Sequence, residues 1–254
     1  MDFRKIFDSI PEEFDRWRPR YCEELFADLI RYADLGSGKA ALEVGPGTGQ
    51  ATEPILKTGC SYLAIELGEN FTEFMKRRFG AYANFRIVNA DFEIHDFSGE
   101  RFDLLYSAAA FQWIPEKIGY PRAFELLKSG GTFAMFLTPP DLRPDGGYID
   151  EPLNSRIQEV YAEFFHPETN YICSLDYDAR EKYGFIDLER REYHTTREFD
   201  ADSFVAHIAT HSDHITLREP YRTKFFEGVR NAILDAGNKL TLYEKPTLYL
   251  AKKP

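Results

Sequence analysis

The stretch ALEVGPGTGQAT, Ala41 to Thr52, decides how this chain is read. An apolar, β-compatible run ends at Val44, glycines follow at alternate positions (Gly45, Gly47, Gly49), and a helix-compatible segment begins near Gln50. The order is strand, tight turn, helix start. Glycine tolerates positive φ and lets backbone pass close to a ligand, while a helix N-terminus presents unpaired N–H groups and a partial positive charge. Such a turn suits a nucleotide-like ligand.

The dinucleotide fingerprint has the spacing G-x-G-x-x-G, and its third glycine is replaced here by Gln50. The spacing present is G-x-G-x-G, with Glu43 two residues before the first glycine. On these residues the chain resembles the class I S-adenosylmethionine-dependent methyltransferases, whose first motif reads E/D-x-G-x-G-x-G at the end of the first strand. There the turn holds the methionine end of the cofactor, so the resemblance implies cofactor contacts for Glu43, Gly45, Gly47 and Gly49.

Other positions fall in the same order. Glu66 ends a short apolar strand 21 residues beyond Gly45, where a carboxylate can accept hydrogen bonds from both ribose hydroxyls. The resemblance puts Leu67 beside the adenine. Asp91 and Phe92 follow the strand Phe85 to Asn89 and match the acid that the family sets against the adenine amino group and the neighbour that packs on the ring. FDRWRPRY, Phe14 to Tyr21, resembles the Y-D-x-x-R-P-x-Y stretch of small-molecule members. Arg18 then matches the arginine aimed at the cofactor carboxylate, and Phe14 departs from the usual tyrosine.

The fourth strand, RFDLLYSAAAFQWI, ends in Ser107, Ala108, Ala109 and Ala110 where methyltransferases acting on amino groups of adenine or glutamine carry [D/N]-P-P-[F/Y]. That departure argues against methylation of a nucleobase, and Ser107 and Ala108 are expected beside the cofactor. The run Ala110 to Ile114 is similar to the AxxW segment of trans-aconitate-type enzymes. Gln112 and Trp113 are therefore candidates to line the cofactor or acceptor site.

The resemblance extends over nearly the whole chain and implies an α/β, Rossmann-like, doubly wound seven-stranded sheet with an antiparallel last strand and helices on both faces. One domain is expected: a helical cap over 1–37, a cofactor-binding core over 38–138, an insertion after strand five over 139–180, and the rest of the sheet over 181–254. Proline and glycine signals predict a helix over Pro121 to Lys128, and strand six is expected from Phe185 to Thr195. Insertions in such sheets sit above the carboxyl ends of the strands, so 139–180, with Gly146, Gly147 and Tyr148, is expected to form an acceptor lid to which Tyr161 and Tyr171 contribute. Failing that, the acceptor belongs beside Arg18, Tyr21 and the helix bearing His207.

Composition bounds the partners. The 254-residue chain has a net charge of -11, 43% apolar and 29% charged residues, and its basic residues are scattered. Nucleic-acid affinity rests on clustered Lys and Arg, so nucleic acid is not expected. No apolar run approaches the roughly 20 residues of a membrane span, MDFRKIFDSI has no signal-peptide core, and a cytoplasmic location is expected. Cys22, Cys60 and Cys173 form no C-x-x-C pair, which speaks against a disulfide framework or zinc knuckle. His207, His211 and His214 have spacings that one helical face could offer to a metal, yet no carboxylate completes a recognisable ligand set, and no metal is expected.

The expected activity is transfer of a methyl group from S-adenosylmethionine to a small-molecule acceptor. His166, His207 and His211 are candidate bases without positional support. The alternatives are a non-catalytic binding protein on the same scaffold and, against Gln50, a nicotinamide dehydrogenase. Nothing in the sequence specifies an oligomeric state.

Overall fold

The computed structural model describes residues 2–142, 149–168 and 175–254. A 3₁₀ segment (Phe3–Ser9) and helices α1 (Pro11–Trp17) and α2 (Glu23–Ala33) precede β1 (Ala40–Val44). Then come α3 (Thr52–Leu56), β2 (Ser61–Glu66), α4 (Glu69–Phe79), β3 (Phe85–Asn89), β4 (Phe102–Ala108), α5 (Glu116–Leu126) and β5 (Leu127–Leu137). The remainder is α6 (Leu153–Phe164), β6 (Ile186–Glu192), β7 (Thr195–Phe199), α7 (Ala201–Ile208), α8 (Ser212–Ile215), α9 (Tyr221–Asp235), β8 (Leu240–Glu244) and β9 (Thr247–Lys252).

Seven strands form one sheet in the order β3-β2-β1-β4-β5-β9-β6. The first five are parallel, and β9 runs antiparallel to both β5 and β6. This is the expected doubly wound sheet with its antiparallel last strand. Because the chain winds outward from β1 through β2 to β3 and then restarts at β4, the carboxyl ends of β1 and β4 diverge into a crevice.

Parallel strands covered on both faces read as continuous apolar runs, and side chains alternate between the two faces. Ala41, Tyr62, Ala64, Tyr106 and Phe136 face one core with Leu25, Leu29, Ile55, Met75 and Phe79. Leu42, Val44, Leu63, Ile65, Leu105 and Phe133 face the other, with Phe111, Tyr120 and Phe185. No helix of the described residues is long and apolar enough to cross a membrane.

Two local expectations need correction. Helix α5 starts at Glu116, not at Pro121: the Pro115 carbonyl accepts from Ile118 and Gly119, and Pro121 lies inside the helix. The expected sixth strand divides, with β6 at the sheet edge and β7 leaving to pair with β8 in a separate two-stranded ribbon. The insertion is divided: Pro139 lines the crevice and the Tyr177 hydroxyl donates to Gln112 in its wall at 3.4 Å, while the helix packs elsewhere. Its helix α6 buries Leu153 and Ile157 against Phe225, Val229 and Ile233 of α9 and Phe204 and Ile208 of α7, and Pro140 and Ile149 bridge to β8. Tyr148, Tyr171, Gly146, Gly147 and Cys173 lie outside the described residues.

This third core is small and centred on Phe225, which is fully buried among Tyr161, Phe165, His214 and Phe226. Phe225→Ala should destabilise the chain by about 3–5 kcal/mol, read as a lowered urea midpoint. A loss under 1 kcal/mol would mean that α6, α7 and α9 do not share one core.

Candidate functional site

The crevice holds a cleft of about 490 Å³ lined by residues from the 3₁₀ segment, the glycine turn, the ends of β2 and β4 and the α7–α8 connection. That volume is ordinary for a small-molecule or cofactor site.

The glycine turn forms its floor. Gly45, Gly47 and Gly49 all have positive φ, at +66°, +59° and +89°. A Cβ at Gly45 would come within 2.5 Å of the Ala110 Cβ, and one at Gly49 within 2.4 Å of the Phe79 ring. Glycine at these positions thus serves helix and strand packing as much as ligand approach. Gly45 and Gly47 line the cleft, while Gly49 is turned toward α4 and does not.

Two glutamates hold the turn from different sides. Glu66 ends β2 in the cleft wall, its Oε2 accepting from the Gly47 N–H at 3.0 Å and its Oε1 from the Gly68 N–H at 2.8 Å. Burial, the leading cause, pushes its carboxyl up to about 7 against the lowering effect of these N–H donors. Glu43 lies beneath the turn, wholly buried, accepting from Thr52 Oγ1 at 2.6 Å and from the Tyr62 hydroxyl, which pairs with the Tyr106 hydroxyl at 2.8 Å. Its Oε1 has no hydrogen-bond partner among the described residues. Glu43 does not line the cleft and supports the turn from beneath.

Ser107 is likewise a supporting residue: its hydroxyl donates to the Val44 carbonyl at 2.8 Å and lies outside the cleft. Leu67, Phe92, Ala108, Gln112 and Trp113 do line it. Asp91 lines it too, but its carboxylate is held by Arg4 of the 3₁₀ segment at 2.8 Å, and Arg4 also pairs with Glu93. The same segment lays Phe3 and Phe7 against Trp113 and caps α4 through Asp8, which accepts from Phe71 N at 2.8 Å. Nothing in the sequence pattern marked this strap, because its ties join residues more than 60 positions apart.

The far end of the cleft is polar. Arg18 lies over the Phe14 ring at 5.3 Å, and among the described residues its guanidinium makes no hydrogen bond or ion pair. Tyr21, Thr138, His211, Ser212 and Asp213 complete this end. His207 does not reach it: Nδ1 donates to the Trp17 carbonyl at 2.9 Å, Nε2 faces Arg197 at 3.3 Å, and burial drives its pKa down to about 3. His166 is also elsewhere, bonded to the Glu163 carbonyl. The T-H-S-D-H segment signals the site through His211 and Asp213 instead.

His211, Asp213 and His214 bring ligand atoms within 4.8 Å of one another, so a carboxylate does join the histidines. Both nitrogens of His214 are already engaged, by Asp213 at 2.7 Å and by the Tyr161 hydroxyl at 2.8 Å. The group is a hydrogen-bonded relay and not a vacant ligand set.

Residues 42–135 match the family described as "Methyltransferase domain". Over those residues the chain is similar to a methyltransferase domain. Over 103 residues the chain is 26% identical to the ribosomal RNA small subunit methyltransferase A of Bacillus mycoides, a match covering 39% of this chain and 35% of that protein. The chain therefore spans about a third of the length of the curated relatives it matches. In fold, the methyltransferase domain and its flanking elements are similar to the Haemonchus contortus phosphoethanolamine N-methyltransferase 2, solved with phosphomonomethylethanolamine and S-adenosylhomocysteine (TM-score 0.59, 15% identity, 100% of this chain and 60% of that one). They are also similar to an S-adenosylmethionine-dependent methyltransferase of Thiobacillus denitrificans solved with S-adenosylhomocysteine (TM-score 0.53, 16% identity, 100% and 99%).

Burial raises Glu43, like Glu66, to about 7 from an ordinary 4.5. The folded chain holds that proton more tightly than the unfolded one, so stability from Glu43 is present below about pH 4.5 and is lost as pH rises through 7. Glu43→Gln should therefore gain on the wild type by on the order of 3 kcal/mol between pH 5 and pH 8. Parallel stability-versus-pH curves for the two proteins would contradict this.

Proposed function

We propose that the chain binds S-adenosylmethionine in this cleft and catalyses transfer of its methyl group to a small-molecule acceptor entering beside Tyr21 and His211. The observation that carries the reading is the pairing, in one cleft, of a glycine turn held on the Glu66 carboxylate with the unpartnered guanidinium of Arg18. A ligand with ribose hydroxyls and an amino-acid end fits both. Glu66 keeps lone pairs for hydroxyl donors, the Gly45–Gly47 backbone leaves room for close approach, and Arg18 receives a carboxylate. Leu67 and Phe92 offer apolar surface for the adenine, with Asp91 beside it.

Bound there, S-adenosylmethionine supplies a methyl group already activated on a sulfonium. The protein's part is then mainly to orient the partners and exclude water, and orientation alone is worth roughly 7–11 kcal/mol. A net charge of -11 and the Ser107–Ala110 sequence weigh against RNA as the acceptor, although curated relatives act on it. Gln50 weighs against a nicotinamide dinucleotide. The free thiols Cys22 and Cys60 accord with a cytoplasmic location.

Titration calorimetry with S-adenosylhomocysteine tests this. One molecule should bind per chain, and Glu66→Ala and Arg18→Met should each weaken binding about 10- to 100-fold, from lost charge-assisted bonds of about 1.5–3 kcal/mol. Hydroxyl donors favour the ionised carboxylate, so affinity should rise from pH 5.5 to pH 8 as Glu66 loses its proton near 7. Glu66→Gln should flatten that profile. Absence of binding to the wild-type protein, with tight binding of NAD, would reverse the reading.

A further inference from the structure

The groups at the far end of the cleft that remain unpaired are mainly hydrogen-bond acceptors. Asp213 Oδ1 accepts from the His214 backbone N–H at 2.9 Å and from His214 Nδ1 at 2.7 Å, while Oδ2 takes no hydrogen bond from the described residues. With its proton on Nδ1, His214 accepts the Tyr161 hydroxyl at Nε2. That relay fixes the Asp213 carboxylate at the cleft wall. A nitrogen of His211 lies within 4.8 Å of it, and the His211 ring stands edge-on between His207 and His214 at 4.9 and 5.3 Å. Thr138 Oγ1 is buried in the same wall without a partner among the described residues.

The nearby positive charges are already disposed of. Arg197 is held by Glu244 through two bonds of 2.6 and 2.7 Å, and Arg18 is assigned to the cofactor carboxylate under the proposed function. What remains for an acceptor, among the described residues, is one carboxylate oxygen, one imidazole lone pair and the hydroxyls of Tyr21, Thr138 and Ser212. A carboxylate acceptor would meet Asp213 with like charge, and a phenol or alcohol would leave that charge unneutralised. Burial, and then Arg18, His207, His214 and Arg197, hold the His211 imidazole well below its ordinary range, with the Asp213 carboxylate beside it.

We propose that the acceptor is an amine, bound as its ammonium ion against Asp213 and giving a proton to His211. The inference rests on the methyl-transfer reading. The proton step is R–NH₃⁺ plus neutral imidazole giving R–NH₂ plus imidazolium, with the proton then passing to water. The amine lone pair is thereby freed for attack, while Asp213 faces the transient imidazolium. Asp213 and His211 touch the acceptor; His214 and Tyr161 position Asp213.

The test uses the full chain saturated with S-adenosylhomocysteine and a panel of probes: ethanolamine and tyramine as amines, catechol as a phenol, and acetate and citrate as carboxylates. Amines should give saturable binding by ligand-observed NMR, and Asp213→Asn should weaken it at least tenfold while S-adenosylhomocysteine affinity stays within about threefold. His211→Asn should retain amine binding yet abolish the pH dependence of methylation of the best amine; its thermal midpoint, with that of Asp213→Asn, checks folding. Binding of phenols or carboxylates in preference to amines, no amine binding to a protein that holds S-adenosylhomocysteine, or amine binding unaffected by Asp213→Asn would overturn the proposal. So would loss of methylation on chelation with recovery on adding zinc or magnesium. Failure of S-adenosylhomocysteine itself to bind would instead remove the underlying reading, and the separate calorimetric titration distinguishes the two.

Discussion

The Glu66 carboxylate, spanning the Gly47 and Gly68 N–H groups, is the contact on which the site depends. One side chain ties the exit of β1 to the exit of β2, so the glycine turn and the start of α4 keep a fixed separation. A carboxylate in this position costs burial, seen in its raised pKa, and the two backbone donors offset part of that cost. Glu43 repeats the theme one layer down, where it receives hydroxyls from α3 and β2 and props the turn from beneath. The floor of the cleft is therefore rigid by construction, with positive-φ glycines above and a buried acid on each side.

Rigidity in the floor contrasts with the roof. The 3₁₀ segment crosses the cleft on Arg4, Phe3, Phe7 and Asp8, none of which belongs to the sheet. Arg4 is a third exposed or less but its ion pairs lie near the surface, where such pairs contribute up to about 1 kcal/mol each. Together with the ring contacts of Phe3 and Phe7 onto Trp113, these pairs hold the strap over the cleft.

The fold was legible because its signals were local and redundant. Strand ends at Val44, Glu66 and Asn89, and the glycine turn, follow from apolar runs and turn residues adjacent in sequence. A residue's place in the cleft was legible where it follows from its strand end, as for Glu66, Leu67, Asp91 and Ala108. It was not legible where the motif position is turned from the cleft: Glu43, Gly49 and Ser107 hold the turn and the strands together without lining it. Motif spacing records which residues are needed there and is silent on which side of the backbone they serve. His207 shows the same limit, since its neighbour one helical turn on, His211, has the cleft-facing position.

The acceptor end was illegible for a further reason. Arg18, Thr138 and the pair His211 and Asp213 come from three separate segments, and their meeting depends on the third core that sets α7 and α8 against α1 and the end of β5. His207 is the tie, bonded to the carbonyl of Trp17, the residue before Arg18. A buried, uncharged imidazole can make that bond only if its other nitrogen accepts, which Arg197 satisfies while Glu244 absorbs the arginine's charge. The chain from Glu244 through Arg197 and His207 to Trp17 thus sets where Arg18 stands relative to Asp213. Under the proposed function, the cation for the cofactor and the anion for the acceptor are placed by one hydrogen-bonded chain, and the spacing between the two ligands is built into the third core.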